Sequence, residues 1–538
     1  MMPVKIYSAK SLDRLCKTKS EFAILDIRLQ GIYFHEHLLL ASCLPESHIE
    51  LEIKRLVPRS STKIILCDAN GNIPHLERIA TVLHQCGYSD VGFLEGGISG
   101  WKESGFELFS GINVPSKAFG EYVEINEDTP RISATELKNL KDANTDLVIL
   151  DSRPYDEYHR ISIPGGINCP GAELVYRAFD FVKNPETLIV VNCAGRTRSI
   201  IGSQSLINAG INNKVVALKD GTMGWQLAGQ QPSTNATDVA PSPQTDGRNK
   251  SMAAAKKVAQ KFNISIINRD ELDRFISEQD ERSLYILDVR THEEYEASHL
   301  PGARHAPGGQ LVQATDEYVA TRNSRIVLFD DQTVRAMMTA SWLKQMLWSD
   351  VYVLSPNSVE LTASGPEDVS SFNCPDCELI DPRTLMTDIS DGKQPLIIDF
   401  SSSLEYSRGH LPGALWAERT RLAALESKLT DNNTIVLTST DSRMARYAAR
   451  DILALGFSGH ITVLEGGNAA WRRYGGQIET NNDQLTSEPN DVWYKPYEQK
   501  SSHKEAMQGY LDWEVNLVKQ IQRDGSLDFA NWNKVSTI

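Results

Sequence analysis

The chain has 538 residues, which at roughly 100–200 residues per domain predicts several domains rather than one large core. Hydrophobic residues make up 41% and charged residues 23%, an ordinary globular composition that excludes bulk disorder and collagen-like repeats. The formal net charge of −15 repels nucleic acid and anionic membrane surfaces, so any bound anion must be attracted by local positive charge.

Cysteine usage and the N-terminus indicate the compartment. Eight cysteines are too few for a disulfide scaffold and fit a reducing environment. The stretch from Met1 to Cys16 lacks an apolar signal segment, and no apolar run of about 18 residues occurs. We therefore expect a cytoplasmic protein that binds neither membrane nor nucleic acid.

A repeated pattern runs along the chain. Four short apolar runs end in Asp, and they are Phe22–Asp26, Leu147–Asp151, Tyr285–Asp288 and Pro395–Asp399. Arg follows two residues later in the first three copies (Arg28, Arg153, Arg290), and Ser401 takes that place in the fourth. A Pro-Gly turn comes next in the last three copies and is degenerate in the first. Such self-similarity indicates tandem copies of one structural unit.

Each copy continues with a second apolar run, whose ends we place at Cys67, Cys193, Asp330 and either Thr438 or Ser439. Frequent β-branched residues make these runs typical of buried parallel strands. A helical stretch, a third strand and a Gly-rich turn ending in Trp101, Trp225 or Trp471 follow, and the third copy lacks this turn.

Short apolar strands that alternate with amphipathic helices predict α/β domains, each with a mainly parallel, five-stranded sheet flanked by helices. We place four domains at residues 1–115, 128–230, 258–363 and 376–480. Residues 231–255 are rich in Pro, Ser, Thr and Asn and predict a linker. Residues 481–538 form a tail with one helix, in which Met507, Leu511, Val518 and Ile521 share a face and Gly525 is the stop. We expect this helix to pack on a neighbouring domain, with binding to a partner as the alternative.

The chemistry is concentrated in the sequence CAGRTRS, Cys193–Ser199, which we call the Cys193 loop. A Cys at the carboxyl end of a buried parallel strand lies where open α/β sheets bind their ligands. Backbone N–H groups of a curled loop form an anion-binding nest, which predicts a lowered thiol pKa. Gly195 permits the curl, and Arg196 and Arg198 supply local positive charge. A buried core cysteine is the alternative reading.

Together the Asp-x-Arg strand ends, the Pro-Gly turns, the Cys193 loop and the Gly-rich turns before Trp resemble the rhodanese family of sulfurtransferases. The resemblance implies four tandem rhodanese-like domains and a persulfide mechanism, in which Cys193 takes sulfur from thiosulfate or 3-mercaptopyruvate and passes it to a thiol or cyanide. It assigns donor binding to the loop residues, namely Ala194, Gly195, Arg196, Thr197, Arg198 and Ser199. Asp151 and Arg153 would tie the first strand to the site. In this family a six-residue loop, as from Cys193 to Arg198, implies sulfur transfer, whereas the related phosphatases carry seven residues.

The other copies are altered. In the first, Cys67 matches Cys193, but Asp68 follows it and no Arg is present, so we expect a structural remnant with a smaller chance of accepting sulfur. In the third, Asp330 replaces the Cys and Arg335 keeps the place of Arg198. In the fourth, Thr438 or Ser439 supplies an unactivated hydroxyl. Neither of the last two copies should transfer sulfur.

A CPDC pair, Cys374 and Cys377, lies between the third and fourth domains. It is compatible with no special role, with a reversible disulfide or sulfur acceptor, or with half of a metal site, although no second ligand pair accompanies it. No nucleotide-binding Gly motif occurs, and we expect neither metal nor organic cofactor.

Three functions remain open at this point. The first is a sulfurtransferase with one active site at Cys193. The second is a sulfur relay or scaffold whose altered domains bind an acceptor protein. The third, a phosphatase or arsenate reductase, is disfavoured by the loop length. The physiological donor, the acceptor and the oligomeric state are not encoded in these patterns.

Overall fold

The computed structural model describes residues 5–369, 371–372, 374–498 and 503–534. Its secondary structure is four copies of one α/β unit, joined by two connecting helices and followed by a C-terminal helix. Within the described ranges, no helix combines the length and the apolar character needed to cross a bilayer.

The elements follow one another in the same order in each copy. Domain 1 has strands β1 Lys5–Tyr7, β2 Phe22–Asp26, β3 Ala41–Cys43, β4 Lys63–Cys67 and β5 Val91–Leu94, with helices α1 Ala9–Cys16, α2 Gln30–Tyr33, α3 Ile49–Leu56, α4 Ile73–Gln85 and α5 Gly97–Glu103. The connecting helix α6 spans Val114–Asn126. Domain 2 has β6 Arg131–Ile132, β7 Leu147–Asp151, β8 Gly166–Asn168, β9 Leu188–Asn192 and β10 Val215–Leu218, with α7 Ala134–Asp142, α8 Tyr155–Arg160, α9 Glu173–Phe181, α10 Thr197–Asn208 and α11 Gly221–Leu227.

The second half of the chain repeats this order. A second connecting helix, α12, spans Thr245–Lys261. Domain 3 has β11 Ser265–Ile267, β12 Leu284–Asp288, β13 Arg304–His305, β14 Arg325–Phe329 and β15 Val351–Leu354, with α13 Arg269–Ser277, α14 His292–Ala297, α15 Gly308–Gln313, α16 Thr315–Tyr318 and α17 Val334–Gln345. Domain 4 has β16 Leu379–Ile380, β17 Leu396–Asp399, β18 Leu415–Trp416, β19 Thr434–Thr438 and β20 His460–Leu464, with α18 Pro382–Ser390, α19 Ser403–Arg408, α20 Glu426–Thr430, α21 Arg443–Ala454 and α22 Gly467–Arg473. Short 3₁₀ helices lie at Glu46–His48, Pro356–Ser358, Arg419–Leu425 and Phe529–Lys534, and the C-terminal helix α23 spans His503–Asp524.

The four sheets have one topology. In each, the strands of the copy lie side by side in the order first, fifth, fourth, second, third, and every pairing is parallel. The prediction of four five-stranded α/β domains is confirmed, and the sheets are entirely rather than mainly parallel. In domain 3 the missing Gly-Trp turn is replaced by the 3₁₀ helix Pro356–Ser358, because the segment after β15 has no glycine to begin a helix there.

The segment predicted as a linker is held against the domains along its length. Ser233 and Val239 form isolated bridges to Ser162 and Asn168 of domain 2. The second half forms α12, whose buried Ala255 lies in the apolar cluster that domains 2 and 3 share. The segment does connect two pairs of domains, and the helix in its second half packs between domains 2 and 3 through the small apolar residues on one face.

The domains form one contiguous body. Domains 2 and 3 share their largest apolar cluster with residues of α6 and α23. Domain 1 contacts domain 3 through Tyr285, which donates a hydrogen bond to the Leu56 carbonyl. It contacts domain 4 through the buried ion pair of Glu50 with Arg419, at 2.8 Å. The catalytic candidate in domain 2 therefore lies among neighbours from the rest of the chain.

Candidate active site

The strand register identifies which residue of each copy corresponds to Cys193. In every copy the second strand in the chain ends in Asp, which provides a common reference point. This Asp pairs with Cys67, Asn192, Phe329 or Thr438 on the neighbouring strand. The residue after each partner begins the loop, so the four equivalent positions are Asp68, Cys193, Asp330 and Ser439.

The assignment of Cys67 as the counterpart of Cys193 is therefore wrong by one residue. Successive side chains of a strand point to opposite faces, so a shift of one residue moves the side chain to the other side of the sheet. Cys67 is fully buried in an apolar cluster with Leu12, Ile65 and Trp101. Burial, with the negative charge of Asp26, raises the pKa of the Cys67 thiol well above its ordinary value. The same register selects Ser439 over Thr438.

Cys193 lies at the carboxyl end of the central strand β9, and its residue is 2% exposed. Its Sγ is 3.5 Å from the hydroxyl of Ser199 in the first turn of α10. Its carbonyl accepts a hydrogen bond from the backbone N–H of Thr222 at 2.8 Å. That close approach requires Gly221, which has φ +54° and whose place for a Cβ is 2.4 Å from the Cys193 carbonyl oxygen. The thiol is thus fixed at the start of a helix.

The pKa of Cys193 is raised, whereas the loop pattern predicted a lowered one. Removal of the thiol from water raises it, and the nearby charge of Glu514 adds to this effect. The positive charge of Arg198 and hydrogen bonds from Ser199 act in the opposite direction. The sequence revealed the stabilising groups but not the depth of burial, which has the larger effect here.

Arg198 is the loop arginine that acts on the sulfur. Its guanidinium donates to Glu157 at 3.0 Å and to the side chain of Gln310 of domain 3 at 3.3 Å. Although burial raises the pKa of Glu157, Arg198 and Lys495 lower it below its usual range, so this carboxyl stays ionised and fixes the guanidinium. Arg335 forms the same pair with Glu294 in domain 3, in accord with its predicted equivalence.

Arg196 points away from the sulfur. Its guanidinium pairs with Glu121 at 2.6 Å, with Glu124 at 2.5 Å and with Asp220 at 2.9 Å, and the residue is 5% exposed. The three carboxylates accept four hydrogen bonds from this guanidinium, which has five N–H groups. Of the two loop arginines expected to meet an anionic donor, Arg196 instead anchors the loop to α6, and these contacts favour Arg198 for that role.

Asp151 and Arg153 lie at the end of the neighbouring strand β7, next to the Cys193 loop. Arg153 donates to both Asp151 oxygens, at 2.8 and 2.7 Å. Asp151 also accepts from the Asn192 side chain at 2.8 Å, and Asn192 immediately precedes Cys193. The buried carboxylate thus holds the last strand residue before the thiol.

Gly195 leaves room for the C-terminal helix, and its φ is not in the left-handed region. A Cβ at this position would lie 3.2 Å from Glu514 Oε2, 3.4 Å from Tyr510 and 3.7 Å from Leu511. The C-terminal helix α23 therefore packs directly on the Cys193 loop, and a side chain longer than a methyl group would have to displace it.

The apolar contact between helix and loop is built from Ala194 and Met223 of domain 2 with Met507 and Leu511 of α23, all buried. Thr197 adds a hydrogen bond from its hydroxyl to Glu514 Oε1 at 3.1 Å. The prediction that the tail helix packs on a domain agrees with these contacts, and Gly525 follows its last turn with φ +70°. The tail covers the loop that carries the candidate nucleophile.

Helix α6 carries a buried cation beside this contact. Lys117 is 3% exposed, and its ammonium lies 5.2 Å from the ring centre of Tyr510, 5.0 Å from that of Trp513 and 5.4 Å from that of Trp493. Burial lowers the pKa of Lys117 to about 8, against the opposing charge of Glu514. The aromatic faces stabilise the ammonium in this buried position.

The three altered loops place oxygen atoms where Cys193 has sulfur. Asp68 accepts hydrogen bonds from the backbone N–H groups of Gly71 and Asn72, at 2.5 and 2.9 Å. Asp330 accepts from Gln332 and Ala336, both at 2.6 Å. In domain 4 the Ser439 hydroxyl accepts from the Ala445 N–H at 3.3 Å.

The CPDC pair lies apart from the Cys193 loop. Cys374 and Cys377 are half-buried, and Cys377 packs at the edge of the domain 4 core. Burial raises the pKa of the Cys377 thiol, which disfavours a nucleophilic thiolate. Among the described residues, no group of three or more His, Cys, Asp or Glu is arranged to hold a metal ion.

Three residues around the Cys193 loop are not indicated by the sequence patterns: Lys117, Glu121 and Glu514. Helix α6 fell in the gap between two predicted domains, although Pro115 follows Asn113 as at a helix start. Glu514 lies seven residues after Met507, on the apolar face of the tail helix. A charged residue on an apolar face was the signal that could have revealed it.

Comparisons with known proteins agree with the repeat. The family model described as Rhodanese-like domain matches residues 8–104, 133–228, 268–356 and 381–474. A thiosulfate sulfurtransferase from Pseudomonas aeruginosa, known by its crystal structure, is 43% identical and covers 97% of this chain and 99% of its own, with a TM-score of 0.89.

Two curated relatives match one domain's length. A putative sulfur carrier protein from Bacillus subtilis is 31% identical over 107 residues, 20% of this chain and 56% of its own. An HTH-type transcriptional regulator from Mycobacterium tuberculosis is 33% identical over 98 residues, 18% of this chain and 42% of its own. The chain thus spans about half the length of the curated relatives it matches. With four matched domains and a structural relative along its whole length, the chain belongs to the rhodanese family, as a tandem protein of four rhodanese-like domains.

Proposed function

We propose that the protein is a sulfurtransferase that carries sulfane sulfur as a persulfide on Cys193, with a small donor such as thiosulfate or 3-mercaptopyruvate and a thiol or cyanide as acceptor. One observation carries the proposal. Of the four equivalent loop positions, only the one in domain 2 holds a thiol, and there Ser199 and Arg198 stabilise its thiolate.

In the reaction with thiosulfate, the Cys193 thiolate attacks the outer sulfur. A bond forms between Sγ and that sulfur, the sulfur–sulfur bond of thiosulfate breaks, and sulfite leaves with the electron pair. An acceptor thiolate then attacks the terminal sulfur of the persulfide and regenerates the Cys193 thiolate. The relative from Pseudomonas aeruginosa is a thiosulfate sulfurtransferase, which supports thiosulfate as a donor.

The test is intact-protein mass spectrometry after incubation with thiosulfate or, separately, with 3-mercaptopyruvate. We expect a gain of one sulfur mass in the native chain and none in Cys193→Ser. Cys169→Ala, which removes another buried cysteine of domain 2, is the matched control and should load fully. Loading that survives in Cys193→Ser would overturn the proposal, and cyanide should reverse loading at Cys193.

A sulfur relay without turnover is the second candidate, and the cover of α23 over the loop favours it. A thiol that is 2% exposed can hold a persulfide away from solvent until an acceptor protein arrives. A steady-state assay with cyanide separates the two candidates. Repeated turnover supports the enzyme, whereas one sulfur released per chain supports the relay.

A further inference from the structure

A buried carboxylate lies over the Cys193 loop and has no role in the mechanism above. Glu514 is 1% exposed, and its Oε1 accepts hydrogen bonds from the hydroxyls of Thr197, at 3.1 Å, and Tyr510, at 3.3 Å. Its other oxygen, Oε2, has no hydrogen-bond partner among the residues that the structure describes. A buried acceptor without a partner lowers the stability of the fold, which indicates that Oε2 binds a ligand or a proton during function.

The free oxygen faces the loop that surrounds the sulfur. Oε2 lies 3.2 Å from the place where a Cβ of Gly195 would be, two residues after Cys193. The charge of Glu514 also contributes to the raised pKa of the Cys193 thiol, so the two groups interact through space. A donor that approaches Cys193 therefore enters the field of this carboxylate.

Among the described residues, no cation forms a direct ion pair with the Glu514 carboxylate. Lys117 and Glu121 face it from α6, and Arg196 faces it from the loop. Arg196 is already paired with Glu121 and two further carboxylates, and the Lys117 ammonium donates to the Ile112 carbonyl at 2.6 Å. Burial raises the pKa of Glu514 to about 7, with Lys117 and Arg196 opposing and Glu121 adding to the shift.

We propose that Glu514 is a donor-selecting residue of the Cys193 site, which disfavours dianionic donors such as thiosulfate and favours donors with a neutral or hydrogen-bond-donating group beside the transferred sulfur. The inference rests on the proposed function and names its substrate class. The ionised carboxylate slows the reaction of Cys193 with thiosulfate in two ways. It repels the anionic donor, and it disfavours the thiolate form of Cys193.

The effect of Glu514 on the donor should grow as the pH rises through the pKa of its carboxyl. Below the pKa of about 7 the carboxyl is protonated and resembles the amide of a glutamine. Above it the carboxylate is ionised, and native protein and a Glu514→Gln variant differ by one charge. Because Lys117 titrates near pH 8, the comparison is made at about pH 6 and just below pH 8.

The experiment measures alkylation of Cys193 by neutral iodoacetamide and by anionic iodoacetate, with Cys193→Ser as the blank. In Glu514→Gln we expect the ratio of the iodoacetate rate to the iodoacetamide rate to rise about tenfold over native protein just below pH 8, and to match it near pH 6. Glu505→Gln removes a charge from an exposed position of the same helix and should behave as the native chain. Glu514→Asp also disturbs the packing at this position but keeps the negative charge. It should therefore keep the native ratio of the iodoacetate rate to the iodoacetamide rate.

Sulfur loading is then measured with the same variants. Loading from thiosulfate should accelerate about tenfold in Glu514→Gln near pH 8 and change little near pH 6. If the loading rate of Glu514→Gln relative to that of the native chain is the same at both pH values, the proposed role of Glu514 is overturned. If Cys193 loads from no donor while the alkylation ratios follow the expected pattern, the sulfurtransferase proposal fails and the electrostatic role of Glu514 stands.

Discussion

Replacing Ser199 by alanine tests how the loop stabilises the Cys193 thiolate. The Ser199 hydroxyl lies 3.5 Å from Sγ and donates to the Arg196 carbonyl at 2.8 Å, so it must turn towards the sulfur when the thiolate forms. Ser199 is 1% exposed, so no water readily takes its place. A hydrogen bond to a charged group contributes about 1.5–3 kcal/mol, and a long bond to sulfur belongs at the low end. Since about 1.4 kcal/mol corresponds to one pKa unit, Ser199→Ala should raise the thiol pKa by about one unit.

The assay is the pH dependence of Cys193 alkylation by iodoacetamide, followed by intact mass. Below the pKa, a shift of one unit reduces the thiolate fraction, and with it the rate, about tenfold. Ser203→Ala is the matched control, because the Ser203 hydroxyl is equally buried one turn further along α10 but has no hydrogen-bond partner in the part of the chain that the structure describes. Superimposable profiles for Ser199→Ala and the native chain would refute the reasoning, as would an equal shift in Ser203→Ala, and would leave Arg198 as the main stabilising group.

Three further changes test the surroundings of the site. Arg196→Met breaks ion pairs that are almost fully buried and should lower the free energy of unfolding in urea by about 3–5 kcal/mol. Arg78→Met, at an exposed pair, should lower it by less than about 1 kcal/mol, and equal losses would contradict the anchoring role of Arg196. Gly195→Leu should displace the C-terminal helix, so limited proteolysis should cleave residues 503–524 about tenfold faster than in the native chain, and unchanged cleavage would show that the helix does not depend on this contact. Cys67→Ala should still load one sulfur per chain on Cys193, as read by intact mass, and a loss of loading would restore Cys67 as an acceptor.

The repeated unit could be predicted from the sequence because its signals are local. An apolar run that ends in Asp, a turn and a second apolar run recur with nearly constant spacing, and parallel strands require this alternation with helices. The Asp at the strand end makes the same contact in the first three copies: Asp26, Asp151 and Asp288 each accept from the Arg two residues later. Ser401 supplies a backbone N–H to Asp399 instead.

The site was predicted less completely, for two physical reasons. Residue type alone aligns Cys67 with Cys193, but backbone pairing sets the register of the strand. A shift of one residue moves the side chain to the other face of the sheet. Glu514 and Glu121 reach the loop through contacts between residues that are far apart in sequence. Neither local propensity nor spacing contains these contacts, and they determine both the direction of Arg196 and the cover over the thiol.

The altered loops explain how copies of the unit lose the thiol and keep the fold. A loop that curls at the start of a helix directs buried N–H groups at one point, and these groups need an acceptor. Asp68 and Asp330 supply carboxylate oxygens there, and Ser439 supplies a hydroxyl. In domains 1 and 3 an internal anion thus occupies the cradle that an anionic donor would need. These two copies are closed to such donors by charge as well as by the missing thiol, and we therefore expect a limit of one loop-bound sulfur per chain.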